Sequence, residues 1–230
     1  MKKTFFLFVT LVVSFQVYAQ KLKEGLVEFE ITYPEMTSDM KDMEGMLPKA
    51  MTVFFKNEKS RAEMQTVMGT TVNIGNSITK ESILLLDMMG KKIAMKINED
   101  SLMNDPKGLK NAYPDLKITQ TTETKMIAGY TCRKAIVTYT ESGKPEHIDC
   151  FYTDELPMMS LGSDRKMFKG IKGFLMEFSM KQGGMTMKIK AKTISSKKVS
   201  DDKFMVPSDY QVVTQEQLQE VMMGGSDEKK

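Results

Sequence analysis

The sequence predicts a mainly β protein, with about ten strands and a few short helices forming one curved antiparallel sheet, which can close as a barrel, fold over a helix or hold a ligand. Apolar and polar residues alternate with a period of two in many short segments. This alternation is typical of strands that bury one face. Turn signals separate these segments at short spacing, and such a pattern favours hairpins over βαβ units.

The clearest hairpin covers residues 173–195. Its two strands are joined by Gly183-Gly184, a favoured two-residue loop because glycine readily adopts positive φ. One face then pairs Met180 with Met187, Phe178 with Ile189 and Met176 with Ala191, and the other pairs Glu177 with Lys190 and Ser179 with Lys188. The apolar groups all fall on one side, and opposite charges meet on the other, which supports this register.

Further strands follow from the same alternation along the chain. They are expected at residues 25–33, 51–56, 59–68, 70–74 and 117–126, with a last extended segment at 204–213 broken by Pro207. Two more hairpins are expected. In residues 82–97, a Gly90-Lys91 loop sets Met88 opposite Ile93, Leu86 opposite Met95 and Leu84 opposite Ile97. In residues 127–139 and 147–153, a loop at 142–145 sets Val137 opposite Cys150.

Helical segments are few and short. Met36, Met40, Met43 and Leu47 recur near helical spacing and predict a short helix or flap that ends at Pro48. A capped helix is expected at 98–104, a helical turn near Met167, and a terminal helix at 214–223 with Thr214 as its cap. Residues 224–230 are expected to be a disordered tail.

The first 19 residues read as a secretory signal peptide. Lys2 and Lys3 precede an apolar run, and Val17-Tyr18-Ala19 fits a cleavage site. The alternative is an uncleaved anchor, although the run is short for a spanning helix. We expect a periplasmic or secreted protein whose residues 20–223 form a single β-rich domain, with no transmembrane segment in the mature chain. Without the two lysines, 31 basic residues face 30 acidic ones, and no motif for nucleic acid is present.

Several sequence motifs resemble a known family. They are YPEM (33–36), MLP (46–48), DMMGKK (87–92), TKMIAGYTCRKAIVTY (124–139), YTDELP (152–157), GFLMEF (173–178) and FMVPSDY (204–210). Together they resemble the exported Bacteroidota family catalogued as domain of unknown function 4412. That family is similar to the lipoprotein carriers of the LolA and LolB type. The resemblance implies a curved sheet that half-closes over helices and holds acyl chains, and it assigns no functional residue.

The residues that could carry chemistry give no catalytic pattern. Cys132 and Cys150 are expected to be unpaired thiols, because the predicted hairpin points them to opposite faces and about 16 Å apart. His147 is the only histidine, and without a nucleophile motif it is expected at the surface of a strand. Met185 and Met187, opposite Met180, could bind Cu(I), but their alternation with apolar residues favours packing. We therefore expect no enzyme activity, no cofactor, no disulfide and no metal site.

The sequence leaves two functions open. The first is a binding module for a lipid, an acyl chain or a lipoprotein tail, held on an apolar face rich in methionine. The residues expected to contact the ligand are Val27, Phe29, Ile31, Leu84, Leu86, Met95, Phe174, Met176, Phe178, Met180, Met187 and Ile189. The second is a structural or protein-interaction role in the cell envelope, in which the same residues fill a core and a protein partner binds elsewhere.

Overall fold

The strands of the protein form one sheet. The computed structural model describes residues 21–88, 90–98, 115–141, 143–158, 167–168, 170–214 and 217–218. The strands are β1 (Glu24–Met36), β2 (Ala50–Lys56), β3 (Lys59–Thr66), β4 (Gly69–Asn76), β5 (Glu81–Met88), β6 (Lys91–Asn98), β7 (Lys117–Ile127), β8 (Tyr130–Glu141), β9 (Lys144–Thr153), β10 (Phe174–Gln182), β11 (Met185–Ser195) and β12 (Gln211–Val213). A short helix, α1 (Ser38–Lys41), and 3-10 turns at Glu44–Met46 and Asp201–Phe204 complete the described elements.

The sheet consists of two antiparallel meanders that pair edge to edge in the middle of the sheet. Its order is β12-β6-β5-β4-β3-β2-β1-β11-β10-β9-β8-β7, so β1 to β6 form one meander and β7 to β11 the other. β1 pairs with β11 and joins the two. The predicted curved antiparallel sheet is confirmed, with twelve strands instead of about ten. β12 is the exception to the antiparallel order, since it lies parallel to β6.

The register of the long hairpin is confirmed. Glu177 pairs with Lys190, Phe178 with Ile189, Ser179 with Lys188 and Met180 with Met187. Gly183 and Gly184 both have positive φ, at 57° and 80°. The β2–β3 turn at Asn57-Glu58 lies between the predicted strands 51–56 and 59–68, because Lys56 pairs with Lys59. The predicted pair of Met176 with Ala191 is not among the observed pairs, so the predicted register holds from Glu177 to the glycine turn.

Two predicted hairpin registers were wrong by two residues. In β5–β6, Met88 pairs with Lys91 and Leu86 with Ile93, so the strands stay paired up to Met88, beyond the predicted turn. In β8–β9, Cys150 pairs with Ala135, and the strands stay paired up to Glu141 and Lys144. A shift of two residues preserves the side of the sheet that each side chain faces, so Leu84, Leu86 and Met95 share a face as predicted, and so do Val137 and Cys150. Cys132 was expected on the face opposite Cys150, but both cysteines are buried in the same hydrophobic cluster.

The helical predictions are tested only where the chain is described. The predicted flap contains α1 and the 3-10 turn at Glu44–Met46. The Thr214 hydroxyl accepts a hydrogen bond from the Gln217 amide at 3.3 Å, and the Gln217 side chain accepts one from the Thr214 amide at 2.9 Å, which forms a capping box. The signal peptide, the tail and most of the predicted helices at 98–104 and 214–223 lie outside the described residues.

Two hydrophobic clusters lie on opposite sides of the sheet. We call the side that carries Val27, Phe29 and Ile31 the inner face. The larger cluster is centred there and draws on β1 to β3 and β7 to β11, together with Leu156, Phe168 and Ile171 from the connection before β10. The smaller cluster, on the outer face, contains Val72, Ile74, Leu85 and Ala94, with Phe204, Val206 and Tyr210 packed against it.

Candidate functional site

The twelve residues predicted to form the apolar ligand face divide into two sets. Seven are almost fully buried in the larger cluster: Val27, Phe29, Ile31, Phe174, Met176, Phe178 and Ile189, each at most 3 % exposed. Leu84, Leu86, Met95, Met180 and Met187 are partly buried. The alternation therefore identified the face correctly, but it did not separate packed positions from accessible ones.

The centre of the inner face is a packed core. The rings of Phe29 and Phe174 are stacked with centroids 6.2 Å apart, and Phe55 meets Phe174 edge-on at 6.0 Å. Phe168 reaches in from the connection before β10 and contacts Phe178 edge-on at 5.4 Å. These contacts account for the low exposure of the seven buried residues, and a ligand in this region would have to displace aromatic side chains.

A second part of the inner face lies on β5 and β6. Cross-strand pairing places Leu84 beside Met95, Leu86 beside Ile93 and Ser82 beside Ile97. Leu84, Leu86, Met95 and Ile97 are partly buried and belong to neither cluster of described residues. We call these four residues the β5–β6 patch. It is an apolar surface on the same side as the core but outside it, at the opposite end of the sheet from β7.

Two polar groups lie next to the β5–β6 patch. Asn73 pairs with Leu84 and Gly75 pairs with Ser82, so both polar side chains are on the inner face. Ser82 is 1 % exposed. The buried Asn73 Oδ1 and Ser82 Oγ have no hydrogen-bond partner within the described part of the chain. An unsatisfied buried polar atom costs free energy, so both atoms would gain from a hydrogen-bonding group that entered at this end of the patch.

The outer face of β4 to β6 is covered by the chain that follows β11. Leu85 is fully buried there, although the predicted ligand face included only its neighbours Leu84 and Leu86. We call residues 199–210 the strap. Lys92 donates to Asp209 at 2.7 Å, and the Arg61 guanidinium donates to the Lys203 carbonyl at 3.0 Å. The strap thus closes one face of β4 to β6 and leaves the β5–β6 patch on the other.

A buried carboxylate lies on the outer face of β10. Glu177 is 6 % exposed and forms ion pairs with Lys125 at 2.8 Å and Lys188 at 3.1 Å. Burial alone raises the pKa of a carboxyl, but hydrogen bonds from the two lysines outweigh it and hold the pKa of Glu177 below its ordinary value. The sequence predicted Lys190 opposite Glu177, which is correct, yet the ion pairs are formed by Lys188, a diagonal neighbour on β11, and by Lys125 on β7.

Both cysteines are buried free thiols. Cys150 donates to the Ala135 carbonyl at 3.2 Å, and burial raises the pKa of Cys150 to about 12 and that of Cys132 to about 11. Cys132 lies three residues from Ala135, the residue paired with Cys150, and not five residues as predicted. A thiol that keeps its proton is a poor nucleophile and a poor metal ligand, so the two side chains act as small apolar groups.

Within the described residues, no three side chains of His, Cys, Asp or Glu are grouped as a metal site. His147 is exposed on β9, as expected, and lines a charged outer groove of about 440 Å³ with Glu177 and Lys188.

The fold and these sites define a class of protein: a mainly β protein with a single open sheet, a packed centre and an accessible apolar patch. The model of a domain of unknown function, DUF4412, matches residues 24–210, and the chain belongs to this family. The resemblance seen in the sequence motifs is thereby confirmed.

The solved structures similar to this chain include the following two. One is LprF from Mycobacterium bovis, at 10 % identity and a TM-score of 0.33, covering 84 % of this chain and 95 % of that one. The other is a β-barrel-like protein of the domain of unknown function DUF1849 from Brucella abortus, at 8 % identity and a TM-score of 0.34, covering 76 % of this chain and 98 % of that one. No curated protein matches the chain.

Among the described residues, none of the helices is long and apolar enough to cross a bilayer.

Proposed function

We propose that this protein is an exported, non-enzymatic binding module for an acyl chain, carried by a lipid or a lipoprotein. The observation that supports this function is the β5–β6 patch. Leu84, Leu86 and Met95 form an apolar surface outside the packed core, with unsatisfied polar atoms of Asn73 and Ser82 at its side. An acyl chain would cover the apolar side chains, and its carboxyl or ester oxygen would accept a hydrogen bond from Ser82.

The ligand position in this proposal covers only part of the face predicted by the sequence, namely Leu84, Leu86 and Met95. The ligand lies on β5 and β6, and the buried aromatic residues of β1 and β10 are the supporting core. Methionine suits such a surface, because a flexible, polarisable side chain accepts acyl chains of different shapes. The apolar surface provides most of the affinity and the polar atoms fix the orientation.

The first experiment measures uptake of a fluorescent fatty acid by the folded protein. Leu84→Glu places a charge on the β5–β6 patch and is expected to weaken uptake at least tenfold. The matched control is Val212→Glu, because Val212 is 60 % exposed on β12 at the same end of the sheet. Equal uptake by both variants would contradict the proposed ligand position.

The second experiment determines whether the protein binds a lipid. Native mass spectrometry measures the mass of any molecule bound to protein that has been purified without detergent. A bound mass that extracts as lipid, and that is reduced in the Leu84→Glu variant, supports the carrier function. A protein without any adduct, combined with no fatty-acid uptake, would reject it.

The second candidate function is a structural or protein-interaction role in the envelope. The filled aromatic centre around Phe174 favours it, since that region needs no ligand to be stable. The two functions predict different results for Leu84→Glu. A protein-interaction module would keep its folded state and show no lipid uptake before or after the substitution.

A further inference from the structure

Methionines gather at the end of the inner face where β1 ends and the β10–β11 hairpin turns. Met36 on β1 pairs with Met185, and Met180 on β10 pairs with Met187. Met185 and Met187 are two residues apart on β11 and so point to the same side. Because Phe178 and Ile189, the next pair along the hairpin, lie in the inner core, all four methionines lie on the inner face. We call them the methionine quartet.

The segment after β1 lies next to this quartet. The Thr37 amide donates to the Gly184 carbonyl at 3.0 Å, which holds the start of the segment against the hairpin loop. At its other end, the Tyr33 hydroxyl donates to the Pro48 carbonyl at 2.7 Å and lies 3.9 Å from the Met187 sulfur. The segment adds three more methionines, Met40, Met43 and Met46, of which the last two are 44 % and 40 % exposed.

The type of apolar residue changes between the core of the inner face and the methionine quartet. The adjoining core positions are branched or aromatic, as Ile31, Phe178 and Ile189 show. By contrast, the four neighbouring positions that follow the core are all methionine, and each of these side chains is partly buried. Leucine or isoleucine would fill an apolar rim equally well, so packing alone gives no reason for four thioethers as neighbours. The property that distinguishes them is their sulfur.

A groove reaches the quartet at the end of the hairpin. It has a volume of about 390 Å³ and is lined by Met36 and Met185 together with Glu35, Glu141 and Lys181. Glu35 and Lys181 also line the charged outer groove, so these two charges lie on the outer side of the sheet, and what the groove offers the quartet is access for an ion to Met36 and Met185. Directly opposed residues on antiparallel strands have Cβ atoms about 4.5–5.5 Å apart, and methionine has three rotatable bonds, so neighbouring sulfurs can converge on one ion.

We propose that the methionine quartet binds Cu(I). Thioethers are soft ligands that select this ion over hard cations such as Mg²⁺ and Ca²⁺. The sequence alone favoured packing, because it placed only Met180, Met185 and Met187 together. The structure adds Met36 from a distant strand and a groove that reaches Met36 and Met185. This site is separate from the β5–β6 patch, and the proposal does not depend on lipid binding.

The test is a titration of the folded full chain with Ag⁺, a redox-stable probe for Cu(I), in chloride-free buffer. Native mass spectrometry should show one tightly bound ion per chain, and NMR of ¹³C-methyl-labelled methionines should show shifts of the quartet signals. The double variant Met185→Leu/Met187→Leu should bind Ag⁺ at least tenfold more weakly. Met205→Leu, at an isolated position 62 % exposed, is the matched control and should bind as the parent does.

Leucine has nearly the volume of methionine, so these variants are expected to fold, and circular dichroism checks this. If the double variant does not fold, Met36→Leu alone must weaken binding, since Met36 lies on another strand. Equal affinity in the double variant and in Met205→Leu would overturn the proposal, as would several weakly bound ions spread over many methionines. Fatty-acid uptake by the same variants should stay unchanged, and its loss would assign the quartet to the lipid site instead.

Discussion

At the scale of single residues, Ser82 links stability to the proposed function. Its hydroxyl is buried without a hydrogen-bond partner in the described part of the chain. Ser82→Ala removes this unsatisfied group, so the free energy of unfolding should stay the same or rise by up to about 1 kcal/mol. The same substitution should weaken fatty-acid binding several-fold, because the ligand loses its hydrogen bond. Urea unfolding and fluorescent fatty-acid titration measure the two effects.

Ser179→Ala is the control for this prediction, since Ser179 lies on the outer face of β10 and should leave fatty-acid affinity unchanged. A Ser82→Ala protein that loses stability but keeps its affinity would show that the hydroxyl serves the fold and not the ligand.

The Glu177 ion pairs give a second prediction at this scale. Lys125→Met leaves the buried carboxylate with Lys188 alone and should lower the free energy of unfolding at pH 7 by about 1–2 kcal/mol. Because the folded protein has a lowered pKa at Glu177, the stabilisation is present above the unfolded-state pKa of about 4.3 and is lost as pH falls through the lowered value. The difference between variant and parent should therefore shrink between pH 7 and pH 3.

Urea unfolding over this pH range measures the effect. Lys190→Met is the matched control, because Lys190 opposes Glu177 across the strands but forms no ion pair with it among the described contacts. An equal loss of stability in both variants, or a loss from Lys125→Met that persists at pH 3, would contradict the assigned role.

At the scale of elements, β5 is apolar on both faces. Residues 83–86 read Ile-Leu-Leu-Leu, and such a continuous run is typical of a strand covered on both sides. Leu85→Ala removes a side chain that is 0 % exposed under the strap and should cost about 3 kcal/mol of unfolding free energy. Leu84→Ala, on the partly buried inner side, should cost about 1 kcal/mol. Urea unfolding of the two variants compares the faces, and equal losses would mean that the patch is part of the core.

The same strand shows which features can be predicted from the sequence and which cannot. Period-two alternation gave the correct inner face for Leu84, Leu86 and Met95, because a register error of two residues leaves the faces unchanged. It missed Leu85, because the strap that covers it comes from residues more than 110 positions later in the chain. Alternation describes one strand at a time, so it cannot show which of two apolar faces receives a distant segment.

The candidate sites show the same limit: contacts within one hairpin can be predicted from the sequence, and contacts between distant segments cannot. The quartet's Met180–Met187 pair was predicted, since a two-residue glycine loop fixes the register of its own hairpin. Met36 was not placed beside Met185, because that contact depends on pairing between β1 and β11. Likewise, the sequence could not separate buried Phe178 from partly buried Met180, because their exposure depends on Phe168 reaching in from another segment.

At the scale of the whole molecule, the β1–β11 pair holds the two meanders together. Its outer face is tied by Thr193 donating to Glu28 at 2.6 Å and by the Lys192–Glu30 ion pair at 3.2 Å, whose members are 162 residues apart along the chain. On its inner face, Phe29 contacts Phe174 across the junction. Pairs so distant in sequence form late, because a large loop must close first, and this topology should make folding slow.

Hydrogen exchange tests this view of the sheet. Amides in the middle of β1 and β11 should exchange most slowly, since these two strands lie at the middle of the sheet and their pairing opens only if the two meanders separate. Amides of β7, at the end of the sheet, should exchange fastest, and protection should fall from the centre towards both ends. Fast exchange in β1 together with slow exchange in β3 to β5 and β8 to β9 would contradict this prediction. Such a pattern would mean that the two meanders are separate cooperative units, and the β1–β11 pair would then be a docking surface between them and not the centre of one fold.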